Sequence, residues 1–211
     1  MLRNNSIRIF EISAVLATGL GKFIFVDLFN YKIWYIFSAC ICWMIYIFLR
    51  ARRDKDTFQN FGFRMEGFKS SLRIIMPISA LAVITFVGIG LITDRLLINW
   101  HIIPIMLLYP IWGTIQQFLM ISLLATHLSQ LEGFKLTNFF IVTITAVLFS
   151  VVHYPSYELI SGTFLLAVLY TIIFIKYRNV WVLGVFHGWL GCFFYFFVLG
   201  RDALAEMIQS L

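Results

Sequence analysis

The chain has 211 residues, of which 61% are hydrophobic, 18% aromatic and only 12% charged, with a mean hydropathy of +0.91. That charged share is about half of what a soluble domain carries, so a water-exposed globular fold is excluded. The formal net charge of +6 comes from 16 Lys and Arg against 10 Asp and Glu, and the basic residues flank apolar runs instead of forming a patch. They read as orienting residues that meet anionic headgroups, not as a nucleic-acid surface.

The apolar runs are long enough to span a hydrocarbon core, which takes about 20 residues as a helix. Lipid leaves no water to satisfy backbone groups, so such runs must be helical, and the alternating strands of an outer-membrane barrel are absent. The fold class is therefore all-α: a polytopic bundle of about seven spans in a single domain over 1–211. In chain order the spans are roughly 9–29, 31–50, 72–93, 101–126, 138–154, 160–176 and 180–199. The first is expected to be retained rather than cleaved, because Glu11 interrupts the run and no A-x-A-like site follows. Between the second and third lies the one long polar connection, 51–71, where Asn60-Phe61-Gly62-Phe63 is expected to start a short interfacial helix.

Placing the N-terminus in the cytoplasm puts twelve Lys and Arg residues on the inner side (Arg3, Arg8, Arg50, Arg52, Arg53, Lys55, Arg64, Lys69, Arg73, Lys135, Lys176 and Arg178). Only Lys22, Lys32, Arg95 and Arg201 fall on the other. The positive-inside rule favours that orientation, with a bacterial plasma membrane as the expected location. Cys40, Cys42 and Cys192 all sit within apolar runs and form no disulfide or metal framework.

Polar side chains inside spans are expensive and point to function. Gln116 and Gln117 are adjacent in the fourth span, His153 ends the fifth, and His187 lies in the seventh between Gly184 and Gly188. The two glycines make a small-xxx-small pair that lets another helix approach closely. Each group alone has a structural reading: interhelical hydrogen bonding for the glutamines, an interfacial position for His153. Together they come from three spans, as inward side chains on facing helices build a buried site. On a straight-helix topology His153 lies near the outer end and His187 nearer the inner one, so their meeting requires tilt or a dipping 127–138 connection. Two histidines are one protein ligand short of a usual catalytic zinc site, so no metal and no cofactor is expected. Glu158 is the only carboxylate near His153 in sequence and reads as solvated.

The order and spacing of these residues resemble the CPBP family of CAAX prenyl protease type II and bacteriocin-processing (Abi) intramembrane proteases. The family's Glu-Glu-x-x-x-Arg aligns with Gln116-Gln117-Phe118-Leu119-Met120-Ile121. Its Phe-x-x-x-His aligns with Phe149 to His153, and its His-x-x-x-Asn/Asp with His187 to Gly191, which keeps the His and loses the last residue. Asn60-Phe61-Gly62-Phe63-Arg64 resembles the family's Gly-centred turn, and the likeness covers about 58–200. The resemblance implies an intramembrane endopeptidase in which Glu activates water and His supports the transition state, with Gln116, Gln117, His153 and His187 at the catalytic positions. Both Glu positions are Gln here, and an amide has no basic site near neutral pH. Three functions fit: a protease of altered mechanism, an inactive relative that binds a membrane protein or peptide in the same cavity, and, less economically, a transporter subunit. The bilayer itself is the one partner common to all three.

Overall fold

The computed structural model describes residues 2–133 and 135–209. All regular structure among them is helical. Helix α1 (Leu2–Lys22) continues through a π-helical segment (Phe23–Leu28) and is followed by α2 (Lys32–Arg53) and a four-residue α3 (Thr57–Asn60). Then come α4 (Phe68–Ile92) and α5 (Ile102–Gln117), which runs through a second π segment (Phe118–Leu123) into α6 (Leu124–Gln130). The chain closes with α7 (Asn138–Val151), α8 (Tyr157–Tyr177), α9 (Val180–Phe193), a third π segment (Phe194–Val198) and α10 (Ala203–Gln209).

Among the described residues, six continuous helices are long and apolar enough to cross a membrane: Asn5–Leu28, Lys32–Arg53, Phe68–Ile92, Ile102–Gln130, Tyr157–Tyr177 and Val180–Val198. The seventh expected span is shorter. Helix α7 has 14 residues, about 21 Å at 1.5 Å per residue, against a hydrocarbon core near 30 Å. The polar connection also differs from expectation. Asn60 ends a short helix instead of starting one, because Gly62 takes φ +82°, a left-handed conformation that glycine adopts without penalty.

That turn has a structural role. Gly62 O accepts from Val180 N at 3.0 Å, and a β-carbon at Gly62 would lie 2.8 Å from Arg178 O. Arg64 Nε donates to Arg178 O at 3.1 Å, and Arg178 Nη2 donates to Asn60 O at 3.1 Å. Burial, with Arg64 nearby, pulls the Arg178 guanidinium pKa down. The buried Asn179 bridges the two elements: its Nδ2 donates to Arg64 O at 2.5 Å while its Oδ1 caps α9 by accepting from Val182 N at 3.1 Å.

The core is built around α9 and the α5–α6 helix. Of the apolar window of α9, 56% is buried, against 11% for α2, so α9 is central and the α1–α2 hairpin is peripheral. At the far end from the Gly62 turn, Asp202 caps α10 through Leu204 N (3.1 Å) and Ala205 N (3.0 Å) and accepts from Asn99 Nδ2 (2.9 Å) and His101 Nδ1 (2.6 Å). Partial burial pushes its carboxyl up, but the hydrogen bonds from Ala205, Asn99 and His101 outweigh that and leave it below the ordinary aspartate range.

Candidate functional site

Helices α5 and α9 meet glycine against glycine. A β-carbon at Gly113 would lie 2.5 Å from Gly184 O and 2.7 Å from Gly188 N, and one at Gly188 would fall within the backbone of Tyr109 and Pro110. Backbones therefore touch, as the Gly184/Gly188 spacing predicts. Pro110 adds a second tie. Lacking an N–H, it leaves Met106 O without its i→i−4 donor, and Trp189 Nε1 of α9 donates to that carbonyl at 3.2 Å.

This crossing fixes the first pair of site residues. Gln116 lies one turn beyond Gly113, and His187 lies between Gly184 and Gly188. His187 Nε2 donates to Gln116 Oε1 at 2.9 Å, a direction required because an amide oxygen only accepts. Nδ1 of His187 is then left as an acceptor, and it is buried without a hydrogen-bond partner among the described residues. The Gln116 amide N–H₂ remains a donor. The pair thus presents one acceptor and one donor, both uncharged.

His153 joins the same wall through Phe149. The Phe149 ring lies 5.2 Å from the His153 ring and 5.5 Å from that of His187, centroid to centroid. His153 Nδ1 donates to Phe149 O at 2.8 Å, leaving its Nε2 as the acceptor. The expected separation between an outer His153 and an inner His187 is bridged by that one ring and by the shortness of α7.

Gln116, His153 and His187 line a common cavity of about 570 Å³, together with Ser79, Thr163 and Tyr170. The rest of its wall is mostly apolar, contributed by α1, α2, α4, α5, α8 and α9. No Asp or Glu lines it among the described residues, and Glu158 lies outside it, half exposed and 4.0 Å from Arg95.

Gln117 does not line this cavity. It is fully buried, and both amide atoms lack a hydrogen-bond partner among the described residues. It sits where α5 passes into the π segment, whose i→i+5 bonding shifts the following residues around the axis. Adjacent helical side chains diverge by about 100° in any case, so one glutamine faces the cavity and its neighbour the packed interior.

A second polar cluster carries no signature in the motif order. Glu11 of α1 is fully buried and accepts from Tyr46 Oη and Arg50 Nη1 of α2 on one oxygen, while His127 Nε2 of α6 contacts the other. The Phe61 ring stands edge-on to His127 at 5.5 Å and lies under Arg50 at 5.5 Å. None of these four polar side chains lines the cavity. A signal was present: Glu11 lies well inside the first apolar run, whereas Asp27 stands at its far end, and an intramembrane ionisable residue calls for a partner.

Three comparisons bear on identity. No protein-family model matches this chain, and neither the curated proteins nor the solved structures contain a match. The site is therefore judged on its own chemistry. Water activation calls for a base, usually an imidazole oriented by a carboxylate or a carboxylate itself. Here the imidazoles are backed by an amide oxygen and a backbone carbonyl. Among the described residues, no cluster of three or more His, Cys, Asp or Glu is placed to hold a metal ion.

Proposed function

We propose that this chain is a membrane-embedded binding module resembling the CPBP intramembrane proteases, one that holds a ligand where those enzymes cleave. The observation that carries this reading is the neutral Gln116–His187 pair, 2.9 Å apart in the wall of a cavity of about 570 Å³ with no lining carboxylate. That volume falls within the roughly 300–1,000 Å³ usual for small-molecule sites, which are mostly apolar with a few placed polar groups. The ligand has an apolar body and a group that accepts from Gln116 and donates to His187. It reaches the site from the bilayer, and the basic end of the bundle faces the cytoplasm of a bacterial cell.

Reconstitution in liposomes tests the reading against catalysis. The native chain should leave internally quenched transmembrane peptides uncleaved, while a photocrosslinker at Leu119, on the cavity wall, captures a bound molecule. Replacing Gln116 by Leu should reduce capture about tenfold, as loss of a hydrogen bond worth about 1.5 kcal/mol implies. Peptide cleavage that His187→Ala abolishes would overturn it in favour of a protease of altered mechanism.

A further inference from the structure

The end of the bundle away from the Gly62 turn carries four cations, and three have carboxylate partners. Lys22 pairs with Asp27 at 2.7 Å, Arg95 with Glu158 at 4.0 Å and Arg201 with Glu206 at 2.6 Å. Lys32 has no ion-pair partner among the described residues. It is half-buried in the first turn of α2, and it lines the cavity.

The cavity extends along α2 from that lysine. Lys32 and Trp43 both line it, and eleven residues of helix separate them by about 16 Å. Lys32 lines the cavity at the start of its span and Lys22 near the end of the preceding one, whereas Gln116 and His187 line it near the middle of theirs. Ile36, Ile78, Phe86, Leu165 and Leu169 cover the length between with apolar surface.

From this arrangement we infer the class of ligand: a single-chain amphiphile with a carboxylate headgroup at Lys32, its chain along the apolar wall, and on that chain a group that accepts from Gln116 and donates to His187, as a hydroxyl does. The inference rests on the binding-module reading and adds the charge of the ligand to it. The charge count selects the head. Asp27 already balances Lys22, so one positive charge remains, and a monoanion neutralises it. A phosphate monoester brings close to two charges and leaves one unmatched beside low-dielectric walls. A neutral lipid leaves Lys32 unpaired. The volume suits one such molecule and not a bulky assembly of chains.

Photolabelling of the full chain in phosphatidylcholine nanodiscs tests this with defined probes. A diazirine-bearing palmitate should label cavity-lining peptides of α2 and α4. Oleate should compete at least tenfold better than oleyl alcohol and better than an oleoyl lysophosphatidate. Lys32→Gln should bring oleate down to the level of the alcohol, Lys32→Arg should restore it, and Lys32→Glu should shift the preference to oleylamine. Equal competition by acid and alcohol, or an unchanged preference in Lys32→Gln, overturns the proposal, as does a tenfold advantage for the phosphate. If the alcohol competes as well as the acid, the ligand-charge inference falls while the binding module stands. If no probe enters the cavity and peptides are cleaved, both fall.

Discussion

Glu11 shows how much a single buried charge asks of its surroundings. A carboxylate with no exposure inside an apolar helix survives only if its lone pairs are satisfied, and three side chains from two other helices do this. The partners lie 35, 39 and 116 residues away in sequence, so the cluster pins the peripheral α1–α2 hairpin to α6. Removing one member leaves the others uncompensated, whereas removing all is far milder. Glu11→Ala should destabilise the protein by about 3 kcal/mol, the lower end of the range for a broken buried pair, because Arg50 retains some solvent access. Combining it with Arg50→Leu and His127→Leu should recover more than half of that loss, as read from unfolding in detergent micelles. A triple variant no better than the single one would show that the cluster acts through something besides charge. At this scale the sequence was only partly legible. His187 was readable as a site residue because it lies between the glycines of a small-xxx-small pair, and Gln116 as one of two adjacent polar residues inside a span. Gln117 looks identical to its neighbour in sequence, and only the rotation around the axis, with the π segment that follows, separates their fates. Glu11 and His127 were invisible as partners because no local spacing links residues on opposite ends of the chain.

Among the elements, the α5–α9 crossing sets the site's geometry. The small-xxx-small spacing of Gly184 and Gly188 announced a close contact, and the facing glycine on α5 could be found only in three dimensions. The Trp189–Met106 bond shows a second device of the same kind, a proline's missing donor supplied from the neighbouring helix. The π segments follow no composition rule in this chain, so the length of the fourth helix and the shift after Gln117 were not readable in advance. The crossing yields a paired prediction within the same molecule. Gly188→Ala introduces a β-carbon into the backbone of Tyr109 and Pro110, which cannot yield like a flexible side chain, and overpacking of this kind costs about 1–3 kcal/mol. Gly88→Ala on α4 meets nothing within 4 Å and gains up to about 1 kcal/mol of helix propensity. Thermal midpoints of the two variants should therefore move in opposite directions. Gly188→Ala should also weaken ligand capture, since Gln116 and His187 are held together by this contact. Equal midpoints would mean that the helices can separate at little cost.

The whole molecule has two unlike ends. Near one end Arg8 pairs with Glu132 at 3.8 Å, and Arg50, Arg64 and Arg178 gather around the Gly62 turn. At the other, three of four cations are matched by carboxylates and the fourth, Lys32, lines the cavity. Unneutralised Lys and Arg near span ends hold a membrane protein's orientation, and Asp or Glu contribute little to that choice. The twelve-to-four distribution of cations therefore predicts that the Arg52–Lys55 end lies inside and the Lys32 end of the cavity outside. Lys55 and Ile98 are both exposed and stand at opposite ends, so they report on this directly. With Cys40, Cys42 and Cys192 replaced by Ala, the Ile98→Cys variant should react with a membrane-impermeant maleimide on intact cells. The Lys55→Cys variant should react only after the membrane is opened. Neutralising Arg52, Arg53 and Arg73 to Gln removes three inner charges without touching the Glu11 cluster, and it should produce a measurable fraction of inverted molecules. Labelling of Lys55→Cys on intact cells with the charges present would reverse the orientation. It would also place the Lys32 end of the cavity, and the ligand headgroup it holds, on the cytoplasmic side.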